Sequence, residues 1–381
     1  MLIRISSCLK KEVIKNAKGV EINIKKWYNV LTTLFSHWGD FLKKTNMKQK
    51  QWLLAKSAKA IKRLQKKNRI RKPVSNQANS GTRTTTLKSA HKNKIVAPEK
   101  FGMMDNIDET LQFFGRVKEI LKKLKVNESI YFDLSKVQVV SADAIMYLIA
   151  TIRNTKRINA LKIRCAGNAP SNPEARQKFL QSGFYDYVSS SVTTNNIYTD
   201  HIKIKAGKEA EPVLAGEICD FVHSLTGLSI VDTKFLFPMI IELMTNTKQH
   251  AYNSVSSMDN NWYIYVEDRG DSLKFIFLDT GVGIPKTIRT KFGEKIISIL
   301  SNSDAYFIAS ALRGEFRSET RLDYRGKGLP EIYNRITSAK IEKFAIVSGQ
   351  GKCVIDESGA IVEIPLKNAL NGTLLSWNLK K

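Results

Sequence analysis

In KKWYNVLTTLFSHWGDFLKK the apolar residues Trp27, Leu31, Leu34, Phe35, Trp38, Phe41 and Leu42 recur at helical spacing between lysine pairs. The pattern predicts an aromatic amphipathic helix. Such a stripe packs on a neighbouring helix or partner, or lies on a membrane surface; the packed form is the more ordinary one, and it offers a surface for oligomer formation. A lysine-rich helix, KQWLLAKSAKAIKRLQKKNRIRKP, follows. It runs into VSNQANSGTRTTTLKSAHKNKIVAPE, which has no periodicity and is expected to be a linker.

From about Asp105 the pattern changes. Helical DETLQFFGRVKEILKKL, strand-like SIYFDLS, helical SADAIMYLIATIRNTKR, strand-like LKIRCAG and helical PEARQKFLQSGFYDYV alternate, predicting a small α/β layer structure. A second series opens with the strand HIKIKAG and the helix EPVLAGEICDFVHSLTG. A further helix, capped by Asp232 or Thr233, runs through Pro238 to about His250, with the proline bending or restarting it. The alternating strand LKFIFLDTGVGIP and a last strand in NALNGTLLSWNLKK complete the picture. The expected organisation is a basic helical region (1–72), a flexible linker (73–100), an α/β domain (101–195) and a second α/β domain (196–381).

Composition agrees with this division. A chain of 381 residues, 43% hydrophobic and 25% charged, is long enough for two cores plus extensions. No apolar run approaches the ~20 residues that span a bilayer, and the start, MLIRISSCLKKEVIK, lacks the apolar stretch of a secretion signal. A cytoplasmic location is the expectation. Cys8, Cys165, Cys219 and Cys353 form no C-x-x-C pair and read as buried thiols in a reducing compartment. Net charge is +26, but residues 1–100 alone hold 25 Lys and Arg against 4 acids, +21, leaving +5 for the remainder. That segment suits nucleic acid, through counterion release, or an acidic protein surface; both readings stay open.

The chemistry is concentrated in four places. In IIELMTNTKQHAY, Glu242, Asn246 and His250 are spaced four apart, and on a helix each such step turns only ~40° past a full revolution. One stripe then faces one feature, although two exposed side chains with Asn246 bonded locally would give the same pattern. The strand ending at Asp279 continues into Gly281 and Gly283. A carboxylate there can accept from an exocyclic amine, and the glycines let backbone pass close to a flat ring. YRGKGLPEIYNRI puts Arg325, Gly326, Lys327 and Gly328 at a helix entrance, an anion site suited to phosphates. Gly372 and Thr373 lie on the last strand.

These elements, in this order, resemble the GHKL ATPases, the group of DNA gyrase, heat-shock chaperones, histidine kinases and mismatch-repair proteins. The resemblance covers residues 196–381 and implies an α/β sandwich that binds ATP and magnesium. By position it implies that Glu242 is the general base and Asn246 the magnesium (Mg) ligand. Asp279 would read the adenine amine with Thr373 in support, and Gly281 and Gly283 would shape the adenine floor. Arg325, Gly326, Lys327 and Gly328 would hold phosphates, with His250 near them. The stretch from Lys286 to Arg325 would be a lid, its Arg317, Arg321 and Arg325 available to phosphate oxygens, that orders with nucleotide.

Upstream, YFDLSKVQVVSADAIMYLIATI resembles the STAS domains of anti-sigma-factor antagonists over residues 105–190. In these a phosphorylatable serine opens the helix. The positions here read Ser141, Ala142, Asp143, so Asp143 at the acceptor position would offer no hydroxyl. Gyrase-like, chaperone and mismatch-repair members continue into a further domain, whereas eight residues follow Thr373 here; none of the five histidines has the setting of a kinase phosphoacceptor. The resemblance is therefore closest to anti-sigma-factor serine kinases. It implies an ATP-binding regulator, hydrolytic or kinase-like, with a STAS-like or transcription-regulator protein as partner. The alternatives are a nucleic-acid-binding protein with the ATP domain as accessory, and a pure scaffold.

Overall fold

The computed structural model describes residues 93–125, 127–157, 163–188, 200–229, 233–249, 261–292, 302–316, 328–338 and 341–381. All belong to one unit, residues 87–381; the aromatic and lysine-rich helices expected in 1–72 lie outside the described residues. The chain is a mixed helix-and-strand protein of the α/β class.

Two sheets sandwich a layer of helices. The first is parallel, with β1 (Lys94–Val96), β3 (Ser129–Asp133) and β5 (Arg164–Gly167) in the order β1-β3-β5; β2 (Lys100–Phe101) and β4 (Val139–Val140) pair separately. β1 and β2 correct the expectation of a linker to residue 100. Ile95, Ala97 and Phe101 are buried, and Lys94 pairs with Asp133 at 2.6 Å. Three apolar side chains in a lysine-rich row sit below any periodicity signal, yet partners from distant sequence complete the strand.

α1 (Ile107–Lys123) has Asp108 and Glu109 in its first turn and Lys122 and Lys123 in its last, matching the helix dipole. It buries Thr110, Leu111, Phe113, Phe114 and Val117, a single stripe. α2 (Ala142–Arg157) instead buries Ala144, Ile145, Met146, Tyr147, Leu148, Ile149 and Ala150 in succession, as a helix enclosed on all sides must. The helix expected over 173–188 stops earlier: α3 (Pro173–Gln181) is capped by Asn172, whose side chain accepts from Ala175 N–H at 3.0 Å, and a 3-10 turn follows at Phe184–Asp186.

The second sheet is antiparallel throughout, ordered β6-β7-β8-β10-β9. Its strands are β6 (His201–Gly207), β7 (Trp262–Asp268), β8 (Ser272–Asp279), β9 (Ile341–Ile355) and β10 (Ile361–Lys380). Its helices are α4 (Pro212–Thr226), α5 (Leu236–Gln249), α6 (Ile284–Phe292), α7 (Asp304–Arg313) and α8 (Gly328–Ser338). α5 begins at Leu236 rather than at the expected cap of 232–233. Pro238 then falls in its first turn, where no helical N–H is needed.

Alternate residues of these strands enter two different cores. Trp262, Ile264, Phe275, Phe277, Leu375 and Trp377 pack with Leu243 and Met244 of α5, Ile308 of α7 and Ile332 of α8. Tyr263, Tyr265, Ile276, Leu278 and Leu374 pack with α1 and α2 in the core of the first sheet. The sheet is therefore covered on both sides, and polar alternation is lost from β7 and β8. Further ties cross the layers. Lys178 of α3 pairs with buried Glu267 of β7, and Ile204 N–H donates to the Ser182 carbonyl at 2.9 Å.

The expected lid from Lys286 to Arg325 is corrected in part. Within it, α7 buries Ala305, Phe307, Ile308, Ala309 and Leu312 and packs along β9. Ser303 caps it, accepting from Tyr306 N–H at 3.1 Å, and Asp304 accepts from Gln350 N–H at 2.6 Å and pairs with Arg289 at 2.6 Å. A segment anchored this way is a wall of the core. Arg317, Arg321 and Arg325 lie outside the described residues.

Among the described cysteines, Cys353 is buried, while Cys165 and Cys219 are only partly so, short of the full burial expected.

Candidate functional site

The β8–β10 ladder places Thr373 opposite Asp279, followed by Leu375 opposite Phe277 and Trp377 opposite Phe275. Phe275, Phe277, Leu375 and Trp377 face the core shared with α5 and α8, so alternation directs Asp279 and Thr373 to that same side, at the strand end. The Thr373 hydroxyl bonds the Asp279 carboxylate, and Gly281 N–H donates to Asp279 Oδ1 at 2.8 Å. Desolvation outweighs both bonds and pushes the Asp279 carboxyl up to about 6.

The glycine loop is held by a residue that was not read from the sequence. Ser348 of β9 is wholly buried. Its Oγ donates to the Gly372 carbonyl at 2.8 Å and accepts from Ile284 N–H at 3.0 Å, 3.3 Å from the Thr373 hydroxyl. There is no room for side chains between these strands. A Cβ on Gly283 would stand 2.7 Å from Ser348 Oγ, and one on Gly372 would stand 2.0 Å from the Asp279 carbonyl oxygen. Gly372 also has φ +105°, which favours glycine. The signal for Ser348 was the run FAIVSGQG, apolar residues ending in serine and glycines.

A second group lies on α5 and α8. Glu242 and Asn246, one turn apart, are partly buried and hydrogen-bonded through their side chains. Burial raises the Glu242 carboxyl above its ordinary range, Glu331 of α8 raises it further, and the Asn246 bond opposes both. Glu331, in the first turn of α8, was also missed; it sits three residues after Gly328 and could have been read from that spacing. Gly328 opens α8 as expected, but His250, Arg325, Gly326 and Lys327 lie outside the described residues.

Fit to ATP and magnesium can be judged from these groups. The carboxyl of Asp279 carries only two donors against its several lone pairs, so it retains acceptor capacity for an amine, and Gly281, Gly283 and Gly372 let the backbone close tightly around it. Asn246, donating its amide N–H to Glu242, keeps a carbonyl oxygen for a hard cation. Among the described residues there is no cluster of three or more His, Cys, Asp or Glu placed to hold a metal ion; a magnesium ion bound through phosphates needs only one or two protein oxygens. The residues present fit the group.

At the upstream motif, Asp143 is fully buried at the start of α2. Its Oδ1 accepts from Met103 N–H at 2.9 Å, from Ala144 N–H at 2.6 Å and from the Ser141 hydroxyl. This carboxylate fastens the loop at Gly102–Met103 to the helix. No helix among the described residues is long and apolar enough to cross a membrane. Compared with known proteins, the chain matches no family model and no curated sequence.

Proposed function

We propose that this protein is a cytoplasmic ATP- and magnesium-binding regulator of the GHKL type, with a STAS-like layer built against its nucleotide domain. The observation that carries the reading is the Asp279–Thr373 pair beside a loop with no side-chain room. It lies on the sheet face packed by α5, the helix of Glu242 and Asn246. In this reading Asp279 accepts from the adenine amine with Thr373 as its support, and Asn246 offers its carbonyl oxygen to magnesium. Glu242, with its raised proton affinity, takes a proton from water or a protein hydroxyl. ATP supplies the phosphoryl group. The helix entrance at Gly328 receives the phosphates; the resemblance alone assigns Arg325, Gly326, Lys327 and His250, which lie outside the described residues, to the same task. The test is titration of the full chain with ATP and magnesium by calorimetry, followed by labelled ATP to score free phosphate against label on protein. Micromolar ATP binding supports the reading, and no heat at millimolar ATP ends it.

The charge of +21 on residues 1–100 favours a second reading, a nucleic-acid-binding protein in which the ATP domain is an accessory. Because Lys94–Val96 and Lys100–Phe101 are strands, the informative truncation removes residues 1–86 only. Binding to DNA or RNA that falls steeply with salt and disappears with this truncation supports it; a full chain that ignores nucleic acid at low salt rejects it.

A further inference from the structure

Three consecutive residues of β10 do three different things. Asn371 N–H leaves the ladder, because the β9–β10 register shifts between Leu370 and Thr373. It donates instead to the hydroxyl of Tyr147 at 3.0 Å. The Gly372 carbonyl is held by Ser348, and Thr373 supports Asp279. Tyr147 belongs to α2, on the opposite side of the sheet from α5. Its ring is buried, fixed edge-on against Phe114 of α1 at 4.6 Å, and burial keeps the phenol neutral, pushed up to about 12.

We propose that Tyr147 is a positioning residue for the nucleotide site, setting Thr373 against Asp279 from the far side of the sheet. The proposal rests on the ATP reading for the identity of the ligand, while the linkage itself is a property of the fold. At a bulge the ladder is locally disrupted, so this part of β10 is not fixed by pairing with β9. The Asn371 N–H bond to a buried helical layer fixes the strand instead, one residue before Gly372 and two before Thr373. The upstream layer thereby sets the geometry at the adenine end of the pocket, and displacement of α2 would loosen adenine recognition without touching the phosphate end.

The test is Tyr147→Phe in the full chain, which keeps the ring and its packing and removes the hydroxyl. ATP and adenosine should both bind about five- to tenfold more weakly, the scale of one hydrogen bond. Inorganic tripolyphosphate should bind as before, whereas a general loosening of the fold would weaken all three. Amide resonances of Gly281 and Thr373 should shift in the variant without any ligand. In the wild type, which needs no substitution, the Asn371 amide should exchange slowly with solvent. Unchanged ATP affinity, unshifted Gly281 and Thr373 amides, or fast exchange at Asn371 would each overturn the proposal. Absence of ATP binding to the wild type would instead overturn the ATP reading, and the amide measurements would still decide the linkage.

Discussion

Thr373 stands opposite Asp279 in the β8–β10 ladder, with its hydroxyl on a carboxylate whose burial raises its proton affinity. A group in that state is ready to accept one more donor and is costly to leave ionised.

Asp279→Asn tests both properties. The folded-state value of about 6 lies above the ordinary 3.8, so the folded chain holds this proton more tightly. Stability from this group is present below pH about 4 and is lost as pH rises through about 6. Asparagine cannot ionise, so at pH 7.5 the variant should be more stable by roughly 3 kcal/mol, a gain that vanishes below pH 4 in urea titrations. On the proposed function, the same variant loses ATP binding.

Glu242→Gln should separate binding from turnover. ATP affinity should stay within about threefold, while phosphate release or transfer falls about 10²- to 10⁴-fold, the usual weight of a general base. Because Glu331 raises the Glu242 carboxyl, Glu331→Gln should move the acidic limb of the pH–rate profile to lower pH. A limb that stays in place would remove Glu242 from that role.

Ser348→Ala leaves the Ile284 N–H and Gly372 carbonyl without the hydroxyl that serves both. The expected loss is about 1–3 kcal/mol in denaturant unfolding, accompanied by weaker nucleotide binding.

Asp133→Ala removes the acceptor that serves Lys94, Ser135 and Asn168 together and should lower the denaturant midpoint of the full chain. Although burial opposes it, Lys94, Ser135 and Asn168 hold the Asp133 carboxyl well below the usual range. Its stabilisation is therefore full above the ordinary carboxylate range and lost only in strong acid. Unfolding at pH 7 should show the whole difference between wild type and variant.

The sequence was informative where one segment carries its own signal. Strand β6, the helical span of α2 and the strand end at Asp279 with its following glycines were legible because period and local chemistry coincide. Strand β9 was not assigned, since Ile341–Ile355 is neither alternating nor bounded by a clear turn and takes its place through pairing with β10. Ser348 went unseen with it. Asp304–Arg313 was assigned to a lid because it lies between the two glycine motifs, whereas Ala305, Ile308, Ala309 and Leu312 decide its location by burial. The strand at Lys94 was hidden for the opposite reason, a few apolar residues inside a basic row.

The double covering of the antiparallel sheet has a bearing on handling. Expressed alone, residues 200–381 would present Tyr263, Tyr265, Ile276, Leu278 and Leu374 to water, a sticky plane prone to self-association. A cut near residue 195 would leave each product with an uncovered apolar face, which only the other product is shaped to fill.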